Sequence, residues 1–295
     1  MKVLADAFIR WQRKDFAKIR GGIENRTVPS DVTCFHDIPY TADGSHAHTL
    51  DIYMPEKHGT DLPVVINIHG GGLITGSKEF NRPMCIVMAR AGFLVYAVEY
   101  RVCPENTIDE LLHDVLDAEA FILMDASERG GDPEKLMITA DSGGGYPALY
   151  TSVMLNSLNF AERMGMKDAV PKGHVIGLGL ISPLLYTAGR DVVGSIYRDI
   201  LYGKNMHHEA LRRFSDPEDV CIVSHLPPVW LATSRGDPFQ KDVQKYAAFL
   251  RKQGLRTELA DAERKDLGHA YAVFEPDRPE TGELLSLMIS FLKSL

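Results

Sequence analysis

Cysteine is scarce in this chain, and its four residues, Cys34, Cys85, Cys103 and Cys221, lie far apart with no C-x-x-C pair. That pattern carries neither a zinc-site nor a dithiol redox signal and reads as free thiols in a reducing compartment. No stretch approaches the roughly 20 apolar residues that a membrane span needs. The basic N-terminus also lacks the unbroken apolar run and cleavage site of a signal peptide, so the expected location is the cytoplasm. A concentrated Lys/Arg face is missing too, and the net charge is −8, which argues against nucleic acid as the main partner. Low-complexity tracts and internal repeats are absent. What remains is a chain of 295 residues, 45% apolar and 24% charged, with the balance of an ordinary globular protein whose partner is a small molecule.

The apolar positions that are present change period along the chain. In the first twenty residues Leu4, Ala7, Phe8 and Trp11, then Phe16 and Ile19, recur at helical spacing. This predicts an amphipathic helix or helix pair docked on the domain. A membrane-surface helix is the weaker reading, because the stripe is short and includes Asp6 and Asp15. From about Thr33 the period becomes two, through "TCFHDIPY" and "HTLDIYMP", the pattern of antiparallel strands at a sheet edge. "PVVINIH" and "FLVYAVEY" are continuous apolar runs, as in parallel strands covered on both faces.

Further strands are expected at "KLMITA", "HVIGLGLIS", "PPVWLATS" and "RTELADA". Helices are expected at "EFNRPMCIVMARAG", "IDELLHDVLDAEAFILMDASE", after Ser142, at "DVQKYAAFLRKQG" and at "ETGELLSLMISFLKSL". Strand and helix in turn predict an α/β fold with a doubly wound, mostly parallel sheet. Only the stretch from Leu184 to about Leu226 breaks the rhythm, with short helical patterns at "VVGSIYRDILYG" and "HHEALRRFS" that could form a lid.

The segment "ITADSGGGYPALY" places Ser142 between a strand ending near Ala140 and a helix opened by Gly143, Gly144 and Gly145. This is the strand-turn-helix context of a nucleophile elbow, where small residues two before and two after the serine leave room for a tight turn. The new helix aims free N–H groups and its positive dipole end at the serine. A phosphate-binding loop is discounted, since the Gly-Lys-Ser/Thr ending is missing.

Upstream, "NIHGGGLITGS" sets His69 and Gly70 to Gly72 directly after a buried strand. Acyl transfer needs preorganised N–H donors for a tetrahedral oxyanion, and a glycine run can turn its backbone inward to supply them. In such folds the acid and then the histidine follow the serine, each after a strand. Asp237 in "ATSRGDPF" and His269 in "DLGHAYAVF" stand in that order. His269 is the expected base and Asp237 its orienting acid.

Other acidic and histidine residues fit the triad order less well. Asp242 reads as an N-terminal charge on the next helix, Asp261 and Asp266 precede His269 too closely, and Asp141 reads as a structural acceptor within the elbow. His46, His48, His207 and His208 have no Cys or carboxylate at ligand spacing and read as surface or lid histidines, so no metal is expected.

Taken together, "HGGGLITGS", "EYRVCPE" with the later Asp114, "DPEKLMITADSGGG", "LPPVWLATSRGDPF" and "GHAYAVF" resemble the hormone-sensitive-lipase-like branch of α/β-hydrolase esterases. The resemblance runs from about Leu50 to the C-terminus. It implies an α/β-hydrolase fold with a helical cap and a triad of Ser142, Asp237 and His269. Backbone N–H groups of Gly71, Gly72 and Gly143 would form the oxyanion hole, and no cofactor is required.

The resemblance further implies that residues 1–30 are an N-terminal cap segment. Residues 31–295 would be the hydrolase domain, with a cap insertion at about 184–226. A homodimer, paired through an edge strand or the C-terminal helix, is left open. Ala140 stands where the family has its first elbow glycine, and Tyr146 and Pro147 replace its usual Asn-Leu; none of these removes a catalytic group.

The expected activity is hydrolysis of short to medium acyl esters by a serine carboxylesterase. Alternatives are an acetyl or hydroxycinnamoyl carbohydrate esterase, or an arylformamidase. A ligand-binding receptor without turnover is the rival from another class, and it would be expected to lack the triad histidine.

Overall fold

The computed structural model describes residues 2–23, 26–187, 197–198, 200–202 and 215–295. Eight strands form one sheet in the order β1-β2-β4-β3-β5-β6-β7-β8. They are β1 (Val32–Pro39), β2 (Thr49–Pro55), β3 (Leu62–Ile68), β4 (Leu94–Val98), β5 (Gly131–Asp141), β6 (Val175–Ile181), β7 (Val229–Ser234) and β8 (Thr257–Ala262). β2 runs antiparallel to β1 and β4, while β4, β3, β5, β6, β7 and β8 pair in parallel.

The period of the sequence explains this division. The edge strand β1 has mixed exposure, whereas every residue of β4 is buried. Strands with both faces covered lose the alternation that marks a half-solvated sheet.

Helices cover the two faces. The first described are α1 (Lys2–Ile23), α2 (Arg82–Arg90), α3 (Ile108–Glu128), α4 (Gly145–Asn156) and α5 (Leu158–Arg163). They are followed by α6 (Val220–Val223), α7 (Gln240–Lys252), α8 (Tyr271–Phe274) and α9 (Pro279–Lys293). The expected N-terminal helix or helix pair is one helix, α1. α3 begins where Thr107 accepts from the Glu110 N–H and Glu110 reaches back to the Thr107 N–H, a reciprocal cap. α4 is buried on every side, so the chain leaving the elbow passes through the core as a helix with no polar face.

The eight expected strands are all present, with ends moved by a few residues. The short helices α5, α6 and α8 carry too little periodicity to be read from sequence. The helical patterns expected around 192–203 and 207–215 lie for the most part outside the described residues, as do His207 and His208. Among the described residues, no helix is long and apolar enough to cross a membrane.

Candidate active site

Four loops meet at the carboxyl ends of the parallel strands, the edge where open α/β sheets gather their sites. β5 delivers Ser142, β3 delivers the glycine loop beginning at His69, and Asp237 and His269 follow β7 and β8. The turn at Ser142 is tight: its φ is +45°, a left-handed conformation that a residue with a side chain adopts only when its surroundings enforce it. Those surroundings are glycines. A Cβ on Gly144 would lie 2.4 Å from the Ile68 carbonyl oxygen, and one on Gly143 would lie 2.6 Å from the Gly72 nitrogen. Ala140 sits one residue before the turn proper, fully buried in register with Ile68 and Leu180, where a methyl group is accommodated.

Ser142 Oγ lies 2.7 Å from His269 Nε2, and His269 Nδ1 lies 2.8 Å from Asp237 Oδ1. A carboxylate only accepts, so Nδ1 carries the proton and the Nε2 lone pair is left to accept from the serine hydroxyl. Asp237 is fixed in turn by the Phe239 N–H, which donates to Oδ1 at 2.9 Å, and by Thr233 Oγ1, which donates to Oδ2 at 3.0 Å. Burial works to raise this carboxyl, but the hydrogen bond and charge of His269, with Ser182 and the Phe239 N–H, hold it below the ordinary carboxylate range. Ser182 Oγ also accepts from the Ala270 N–H at 3.1 Å, next to the histidine. Sequence reasoning missed Thr233 and Ser182, because a hydroxyl at a strand end carries no distinguishing pattern.

The glycine loop faces the serine. Gly71, Gly72 and Leu73 all have positive φ, and a Cβ on Gly71 would fall 1.9 Å from the Thr75 carbonyl oxygen. Among the described residues, no backbone carbonyl accepts from the N–H of Gly71 or Gly72. The loop is anchored from behind. His69 donates from Nε2 to Glu99 Oε1 at 3.1 Å and from Nδ1 to the Gly70 carbonyl at 2.7 Å, and Tyr100 stacks on its ring. Both ring nitrogens face acceptors, an arrangement that favours the imidazolium. Full burial opposes that charge, yet Glu99 raises the His69 pKa above its ordinary value. Asp141 Oδ1 accepts from the Gly70 N–H at 2.8 Å and from Asn81 Nδ2 at 2.9 Å, the structural role expected of it.

A cavity of about 340 Å³ opens above Ser142 and His269. That lies within the roughly 300–1,000 Å³ of small-molecule sites. α1 supplies Trp11, Gln12 and Phe16 to its wall, with Phe16 packed edge-to-face on Phe274, and Phe239 also lines it. α1 is tied down by Arg13, which donates from Nε to the Ile74 carbonyl at 3.0 Å and pairs with Glu105. Tyr146 points the other way, with its ring 4.4 Å from that of Tyr150 and its hydroxyl accepting from Tyr202 at 3.4 Å. Pro147 lies in the first turn of α4, where no intrahelical N–H is needed.

The remaining candidates stand apart from this cluster. Asp242 lies in the first turn of α7. Asp261 accepts from Gln240 and Gln244, and Asp266 pairs with Arg264 and Arg278. His46, with no carboxylate at ligand spacing in the sequence, is brought by the fold close to Asp37 near the end of β1 and to Glu79. Lys78 Nζ lies 2.7 Å from each of the two carboxylates, already neutralising the charge that a cation would seek.

The chain is similar to known esterases. Carboxylesterase NlhH of Mycobacterium tuberculosis is 26% identical over 279 residues, spanning 92% of this chain and 82% of the relative. A probable carboxylic ester hydrolase, LipM, of the same species is 33% identical over 228 residues, 75% of this chain and 52% of the relative. Among solved structures, esterase B from Lactobacillus rhamnosis, inhibited by a tributyrin phosphonate, superposes with a TM-score of 0.88 at 22% identity. That alignment covers 100% of this chain and 96% of the other. Residues 65–273 match a family described by its alpha/beta hydrolase fold, and since that match spans well over half of the sequence, the chain belongs to this family, in its hormone-sensitive-lipase-like branch.

Proposed function

We propose that Ser142, His269 and Asp237 form the catalytic triad of this carboxylic-ester hydrolase and that its substrates carry short to medium acyl chains. The observation that carries the triad is the continuous relay from Ser142 Oγ through His269 to Asp237, at 2.7 and 2.8 Å. Ser142 attacks the acyl carbon while its proton passes to His269 Nε2, and Asp237 stabilises the imidazolium that results. The carbonyl oxygen becomes an oxyanion facing the N–H groups of Gly71, Gly72 and Gly143, each such donor contributing about 3 to 4 kcal/mol at the transition state. His269 then protonates the departing alcohol, and water, activated by the same base, releases the acid from the serine.

The cavity supports the acyl range. It is closed on one side by α1, which acts here as part of a cap, and its volume of about 340 Å³ suits a small ester. Four free cysteines fit a reducing location such as the cytoplasm.

The test is hydrolysis of p-nitrophenyl esters from acetate to long acyl chains, beside Ser142→Ala. Turnover that falls with chain length and disappears in the variant is the expected result. A preference for long chains would overturn the acyl assignment, and undiminished turnover in Ser142→Ala would overturn the triad.

A further inference from the structure

The wall of the cavity above Ser142 is largely aromatic, built from Trp11, Phe16, Tyr197, Phe239 and Phe274. Gln12 is the polar exception supplied by α1. Its side-chain amide hydrogen-bonds Tyr197. Its Oε1 is shut off from solvent and has no hydrogen-bond partner among the described residues. A Cβ built on Gly72 would lie 2.9 Å from that oxygen and 2.5 Å from the Tyr197 hydroxyl. The amide is therefore held against the backbone of the glycine loop, beside the nucleophile.

The backbone that carries the amide is fixed. The next residue, Arg13, anchors α1 to the same loop through the Ile74 carbonyl at 3.0 Å. A buried acceptor without a donor is unfavourable, and turning the amide into the cavity to meet a ligand that supplies the donor relieves the penalty. A hydroxyl suits the site whichever way round the amide lies, because it donates to Oε1 or accepts from Nε2.

We infer that Gln12 is a specificity-determining residue that selects esters carrying a hydroxyl group close to the scissile carbonyl. This rests on the ester-hydrolase reading above and names the substrate class for that site. The hydroxyl could stand on the acyl side, as in a hydroxy acid ester, or on the alcohol side, as in the monoester of a diol. A polar group built to pair with a substrate hydroxyl discriminates strongly against the analogue that lacks it.

The test compares two matched pairs with wild type and Gln12→Met. For the acyl side the pair is p-nitrophenyl lactate and p-nitrophenyl propionate. For the alcohol side it is ethylene glycol monobutyrate and propyl butyrate, followed by acid release. The ratio of kcat/KM within each pair is taken, so that intrinsic reactivity cancels between the two proteins. At least one ratio is expected to fall by about tenfold in Gln12→Met, and the pair that changes identifies the side bearing the hydroxyl.

Gln12→Leu, a second apolar replacement compatible with a helix, is expected to give the same collapse, with circular dichroism reporting the fold of both variants. Unchanged ratios in both variants, with the plain esters still turned over, would overturn this inference and leave the esterase intact. A folded wild type that hydrolyses none of the four esters would overturn both.

Discussion

Glu99 and His69 face each other at 3.1 Å, both buried, with the second Glu99 oxygen accepting the Lys78 N–H at 3.0 Å. The pair holds the root of the glycine loop from behind, without touching the cavity. Glu99→Ala would leave a buried imidazole and a backbone donor unpaired, for a loss of about 3 to 5 kcal/mol in stability. Thermal unfolding should show the loss, and kcat/KM should fall with it as the loop slackens. Because His69 has a raised pKa in the folded state, its contribution is complete below about pH 6.5 and is lost as the pH climbs through the folded value.

Asp237→Asn should lower kcat by about 10⁴-fold with little change in KM. The amide lacks the negative charge that stabilises the imidazolium, and wherever its NH2 turns toward His269 the imidazole is left in the wrong tautomer. Single-turnover measurement of acyl-enzyme formation is the direct check, and a loss of less than tenfold would rule out Asp237 as the orienting acid.

Two glycine substitutions should behave oppositely. In Gly143→Ala the new methyl would meet the Gly72 nitrogen at 2.6 Å and its Cα at 2.8 Å, and backbone there has nowhere to yield. Displacing one oxyanion donor predicts a fall in kcat of about 10² to 10³-fold. At Gly282, within α9, a Cβ meets nothing within 4 Å. Gly282→Ala should therefore stabilise the protein by about 0.4 to 1 kcal/mol and leave turnover unchanged. Melting curves and initial rates on the two variants decide both points.

Glu119 on α3 is fully buried with only the Thr151 side chain beside its carboxyl to offset the loss of water, and burial pushes its pKa up to about 8. The unfolded chain releases this proton near pH 4.5, the folded one only near 8, so stability falls as the pH rises between the two. Glu119→Gln removes that dependence. Its melting temperature should exceed that of wild type at pH 8, by an amount reflecting a few kcal/mol, and the difference should shrink toward pH 5. A constant offset across that range would show that Glu119 does not titrate as described.

Much of this was legible because the strands announce themselves. Runs such as "FLVYAVEY" stay apolar on both faces, and the serine, acid and histidine each follow one in chain order. The early part of β5 was hidden, since "GDPEK" is polar; it extends the strand by pairing Gly131 and Asp132 with Leu62 and Pro63 ahead of a register shift. The supports of the site were hidden for another reason. Glu99, Asn81 and Ser182 act through contacts between distant segments that no local spacing encodes, and Thr233, though only four residues from Asp237, is one hydroxyl among many at strand ends. Glu99 did leave one trace, an acidic residue closing a run of buried apolar ones.

The attachment of α1 by Arg13 has a consequence for how such a protein diversifies. The groups proposed to break the bond sit on loops of the sheet, whereas part of the wall of the cavity above them belongs to one helix clasped on from outside. Drift along Trp11, Gln12 and Phe16 can retune the menu of acceptable molecules while the chemical engine stays untouched. Grafting the corresponding helix of a relative onto this sheet would be a way to move selectivity wholesale between the two.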